Sequence, residues 1–96
     1  MMDRKEAYQE KVEAQLEELR ARIELMEAKA ERAKAEAKVE YSEQVVELRR
    51  KWKEAEERLE GLKAAGIEAW NELTAGVDEA MTALQDAVTR ALDRFD

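Results

Sequence analysis

The sequence predicts an all-α protein: a long helix and a shorter return helix, forming a helical hairpin that self-associates as a coiled coil or helical bundle. One continuous long helix in a coiled coil is the alternative. Three observations predict this. The chain has no proline and only three glycines, Gly61, Gly66 and Gly76. Charged residues make up 43% of it and aromatic residues 5%, against a globular average of about 25% charged. Apolar or small residues recur every three or four positions along almost the whole chain, which is the period of a helix face and not of a strand. Heavy charge with that spacing belongs to long amphipathic helices rather than to disordered chains.

The first element is a long charged amphipathic helix over residues 1–60. Asp3 followed by Glu6 has the spacing of a capping box, in which the Asp3 carboxylate accepts the Glu6 N–H. Alanine, glutamate, lysine, arginine and leucine dominate the rest of the segment, and all are strong helix formers. Opposite charges four residues apart (Glu18 with Arg22, Glu47 with Lys51, Glu54 with Arg58) each add a few tenths of a kcal/mol. The apolar seam runs Tyr8, Val12, Leu16, Leu19, Ile23, Met26, Ala30, Ala33, Ala37, Tyr41, Val45, Leu48, Trp52, Ala55, Leu59, Leu62. Around residues 28–37 it consists of alanine alone, so this stretch is either a close crossing point or a weakly packed one.

Residues 61–67 read as a turn. Gly66 suits the left-handed position just after a helix, with Leu62 and Ile67 placed for the apolar contact of a Schellman cap. Against a turn, the seam crosses the segment in phase, which keeps the continuous helix open. Gly61 and Gly76 read as points of close approach. Residues 68–96 form the shorter amphipathic helix, with Trp70, Leu73, Val77, Met81, Leu84, Val88, Leu92 and Phe95 on one face. From Tyr8 to Phe95 the seam takes 24 steps over 87 residues, near the 3.6 of an untwisted helix, so little supercoil is expected.

If the first helix is about 87 Å long and the second about 43 Å, the return helix covers only half of the first. Val12, Leu16, Leu19, Ile23 and Met26 would then be bare. Pairing two chains antiparallel, crossing at the alanines, would cover them and build a three-helix bundle at each end. The expected partner is therefore a second copy, as an antiparallel homodimer or a higher homo-oligomer.

The chemistry-bearing residues are few. Histidine and cysteine are absent, which removes thiol chemistry, the ordinary zinc sites and the commonest general base. Ser42, Thr74, Thr82 and Thr89 have no base in prospect. The basic run Arg49-Arg50-Lys51-Trp52-Lys53 and the acidic group Glu54, Glu56, Glu57, Glu60 read as solvated faces. The expectation is a non-enzymatic structural or interaction protein with no catalytic residue, no cofactor, no metal site and no small-molecule substrate. A net charge of −7 argues against nucleic acid and anionic membranes. The alternative is a reversible binder of lipid surfaces, resting on the amphipathic residues 62–95. The N-terminal stretch has no apolar run of a secretory signal, so a cytoplasmic location is expected.

Taken together, several motifs resemble a group of small bacterial coiled-coil proteins of about 90–100 residues, labelled stress-response proteins. They are the KAxxAKAxA pattern at Lys29–Ala37, the Tyr41 beyond it, AEERLEGLK at 55–63, and Ala69, Trp70, Leu73, Gly76 and Val77. The resemblance covers nearly the whole chain. It departs at Met81, where that family often has a second tryptophan. It implies a helical assembly linked to bacterial stress and carries over no catalytic residue. The spacing is also loosely similar to that of exchangeable apolipoproteins.

Overall fold

The computed structural model describes residues 3–94 in full and the backbone of Phe95. The described residues form three helices of nearly equal length: α1 (Arg4–Arg32), α2 (Ala35–Ala64) and α3 (Trp70–Phe95), with a 3-10 turn at Ile67–Ala69 leading into α3. They run up, down and up in a bundle 51 Å long and 24 by 18 Å across. α2 packs along both neighbours, and α1 touches α3 near their N-terminal ends through Lys5 and Tyr8 against Trp70 and Asp78.

Local chemistry starts α1 as the sequence suggests. Asp3 is extended, and its carboxylate accepts the Glu6 N–H at 2.8 Å, an N-cap of about 1 kcal/mol. The spaced charges pair too: Arg22 with Glu18 at 2.9 Å, Arg58 with Glu54 at 3.3 Å and Lys51 with Glu47 at 3.8 Å.

The first segment departs from the single helix over residues 1–60, and the one continuous helix is excluded with it. It breaks at Ala33 and Lys34, both extended (φ −75°, ψ 156° and φ −66°, ψ 155°). Two demands compete here. Running straight through would keep a few backbone hydrogen bonds, each about 1 kcal/mol net. Folding back buries Val12, Leu16, Leu19, Ile23 and Met26 within the same chain, at about 2 kcal/mol for each large side chain. Burial wins. The break falls in the alanine stretch, where the seam has least apolar area to lose.

The second turn lies at Ala65 and Gly66, inside the predicted 61–67, but its geometry differs from the expectation. Gly66 has φ −77° and ψ 173°, an extended conformation open to any residue, so no left-handed cap forms. Leu62 is 1% exposed and Ile67 78% exposed; the Schellman contact between them is absent. Ala65 N–H bonds to Leu62 O at 3.2 Å, and Ala33 N–H to Ala30 O at 3.2 Å. The two turns are thus built alike, from two extended residues after a tightened last turn, with glutamate early in the next helix (Glu36, Glu68), where the helix dipole favours it.

The core is the predicted seam folded on itself. Val12, Leu16, Leu19, Ile23, Met26 and Ala30 of α1 pack with Val45, Leu48, Ala55, Leu59 and Leu62 of α2 and Val77, Met81, Leu84, Val88 and Ala91 of α3. Tyr8, Tyr41, Trp52, Trp70 and Leu92 are half-buried against it. Ala33 is half-buried, Ala37 is exposed and Leu73 is 36% exposed. Ala37 leaves the core because the break turns the first turn of α2 outward. The Phe95 side chain lies outside the described residues. Neither Gly61 nor Gly76 is the point of close approach expected: a Cβ at Gly76 would lie 3.5 Å from Arg58 Nη1, an ordinary van der Waals contact, and one at Gly61 would meet nothing within 4 Å.

Candidate interaction site

Three groups of side chains hold one helix against another, and the first two begin from half-buried seam aromatics. The first ties α1 to α3. A tyrosine on the seam near the N-terminus reaches the rim of the bundle, where its hydroxyl needs a partner. Tyr8 Oη donates to Asp78 Oδ1 at 2.5 Å and lies 3.4 Å from Thr74 O. Its ring meets Trp70 edge-on, with centroids 5.8 Å apart and planes at 73°. Lys5 Nζ sits 5.3 Å from the centre of the Trp70 ring, a cation–π contact. Burial, then the hydrogen bond to Asp78 and the charge of Asp78, push the Tyr8 hydroxyl well above its ordinary pKa. Among the described residues, Thr74 Oγ1 is an enclosed side-chain oxygen with no hydrogen-bond partner.

The second group ties α1 to α2. Trp52 Nε1 donates to the Leu16 carbonyl at 2.8 Å, and the Arg20 guanidinium lies 5.6 Å from the indole centre. The indole stands between two shallow grooves of about 360 and 350 Å³, both also lined by Arg20 and Glu56. It therefore fills the α1–α2 seam with its ring while its N–H is satisfied by the opposite helix.

The third group is ionic and spans all three helices. Arg49 pairs with Glu27 at 2.5 Å, Lys63 with Glu13 and Arg94 with Glu40. The hydrogen bond from Lys63 to Glu13 raises the lysine pKa. The pairs lie at different heights, so sliding a helix by one turn would break them together.

These contacts place the basic run. Arg49 is paired with Glu27, Arg50 bonds Glu47 at 2.7 Å, Lys51 also faces Glu47, and Trp52 is docked on α1. Of the acidic group, Glu54 pairs with Arg58 and Arg50, and Glu60 with Lys63. Among the described residues no three carboxylates converge as a metal site, and no helix is long and apolar enough to cross a membrane. The seam anticipates nearly every core position. It omits the partners that fix register: nothing near Asp78 or Leu16 in the sequence announces Tyr8 or Trp52. The available signal was only that both aromatics carry a polar atom that a buried seam must satisfy.

Large apolar side chains also lie outside the core: Leu25 on α1, and Val39 and Val46 on α2, 62% and 69% exposed. In comparisons with protein-family models, curated proteins and solved structures, nothing matches this chain.

Proposed function

We propose that this chain is a non-enzymatic structural protein that works by helix-to-helix association and assembles with further copies of itself. One observation carries the reading: the aromatic and charged side chains best suited to chemistry are engaged in holding helices in register. Tyr8 meets Asp78, Trp52 meets the Leu16 carbonyl, and Glu13, Glu27 and Glu40 meet Lys63, Arg49 and Arg94. Such pairs discriminate a correct helix partner from a wrong one more than they add stability. The same pairs are available to helices of different chains. The resemblance to small bacterial coiled-coil proteins supplies a setting, bacterial stress physiology in the cytoplasm.

Sedimentation equilibrium from low to high micromolar concentration tests the reading. A mass rising from one chain to two or more supports it. A single-chain mass throughout overturns it. Tryptophan fluorescence with neutral phosphatidylcholine vesicles is the companion measurement: a blue shift on a protein that stays monomeric without lipid would replace assembly with lipid-surface binding.

A further inference from the structure

The connection between α1 and α2 carries no sequence signal for stopping a helix. Ala33 and Lys34 are its only non-helical residues, and the surrounding AKAERAKAEA is made of helix formers. Lys34, at the N-cap, makes no side-chain capping bond, so the first N–H groups of α2 have none of the help that Ser, Thr, Asp or Asn gives. The apolar seam crosses the break in phase, through Met26, Ala30, Ala33, Ala37, Tyr41 and Val45. Yet Ala37 is exposed and Ala33 only half-buried, so the closed bundle uses the seam only in part at the break.

We infer that two copies of the chain exchange α1. This rests on the reading that the chain self-associates and names how it does so. The Ala33–Lys34 turn straightens, α1 and α2 join into one helix over residues 4–64, and each α1 docks on α2 and α3 of the second copy. The contacts that fix the register of α1 do not depend on its covalent link to α2. Tyr8 to Asp78, Glu13 to Lys63, Glu27 to Arg49 and Trp52 to the Leu16 carbonyl form equally well when α1 comes from another chain. Exchange of an identical element is a low-cost route to a dimer for this reason. The two joined helices run antiparallel and cross at Ala30, Ala33 and Ala37, where methyl groups let the backbones approach. The exposed Ala37 thereby gains a partner, and the uncapped start of α2 becomes helix interior.

The chain has no cysteine, so a spin-label pair can be introduced at exposed sites as Glu17→Cys with Glu57→Cys. The doubly labelled full-length chain is refolded at high concentration with an excess of unlabelled chain, and the dimer is isolated. Within a closed chain the labels stand across two packed helices, about 10–20 Å apart. Along a joined helix they are about 60 Å apart. The exchange predicts that dilution removes the short distance and leaves the long one. A short distance that survives dilution in the dimer overturns the exchange while leaving self-association standing. Absence of any dimer overturns both.

Lys34→Pro is the second arm. Proline fits the closed turn, because Lys34 has φ −66° and Ala33 before it has ψ 156°, as proline and its predecessor require. It does not fit the interior of a joined helix. Dimer affinity should fall by about a hundredfold or more. A Lys34→Pro chain that dimerises as wild type contradicts the exchange.

Discussion

Tyr8 and Asp78 stand 70 residues apart in the chain and are joined by a 2.5 Å hydrogen bond that fixes the start of α1 against α3. The bond ties the N-terminal ends of α1 and α3 together, with Trp70 packed beside it. Tyr8→Phe keeps the ring and removes only the donor. It should cost about 1–2 kcal/mol, toward the lower end for a rim position. Chemical denaturation checks this, with an unchanged dependence on denaturant showing that the fold persists.

The same bond sets a pH dependence. The Tyr8 hydroxyl titrates above its ordinary value, through burial first and then Asp78. A raised folded pKa stabilises the bundle while the phenol is protonated. That stabilisation is complete below the unfolded value, about 10, and is lost as pH rises above it. Stability should therefore fall in alkaline solution above about pH 10, and Tyr8→Phe should fall less steeply. Equal slopes for the two proteins would contradict the linkage.

Gly66→Ala should be tolerated. The residue is extended rather than left-handed, and a Cβ there meets nothing within 4 Å. Removing glycine's freedom in the unfolded chain should leave stability unchanged or raise it by up to about 1 kcal/mol. A thermal midpoint lowered by several degrees would show that the turn needs glycine after all.

Two positions on the same seam should respond in opposite ways. Ile23 is buried in the core and Ala37 is exposed. Ile23→Ala should cost about 2–5 kcal/mol, whereas Ala37→Glu should change the stability of the dilute protein by less than about 0.5 kcal/mol. Denaturation of both variants side by side measures the contrast.

Coupling between Glu13 and Lys63 is expected to be small despite their contact. Their side chains are 47% and 33% exposed, and pairs of this kind contribute roughly 0.2–1 kcal/mol. A double-mutant cycle with Glu13→Gln and Lys63→Gln should give a value in that range that declines with salt.

The helical class, the Asp3 cap and almost the whole core were legible because each is dictated by local spacing. Val12 through Met26 and Val77 through Val88 announce their burial by recurring at three and four. The break at Ala33 was not legible, because nothing in Ala-Lys-Ala-Glu stops a helix; a tertiary demand, covering the N-terminal stripe, bends it there. The turn near Gly66 was legible in place but not in shape. Glycine suggested a left-handed cap, while the chain reverses through two extended residues, as it does at Ala33–Lys34 without any glycine. The register contacts were hidden for a related reason. The seam places Tyr8 and Trp52 on the inner face, but which backbone or carboxylate each meets depends on how three helices stack, and that is set by all the core residues together.

Mass and shape measured together test the central claim, that these helices serve association between copies. Small-angle X-ray scattering with light scattering, run from dilute to concentrated protein, should show a single chain about as long as the 51 Å bundle giving way to a particle of twice the mass. That particle should be on the order of 90–100 Å long, the reach of a joined helix over residues 4–64. A particle of single-chain mass and bundle length at every concentration would contradict the account.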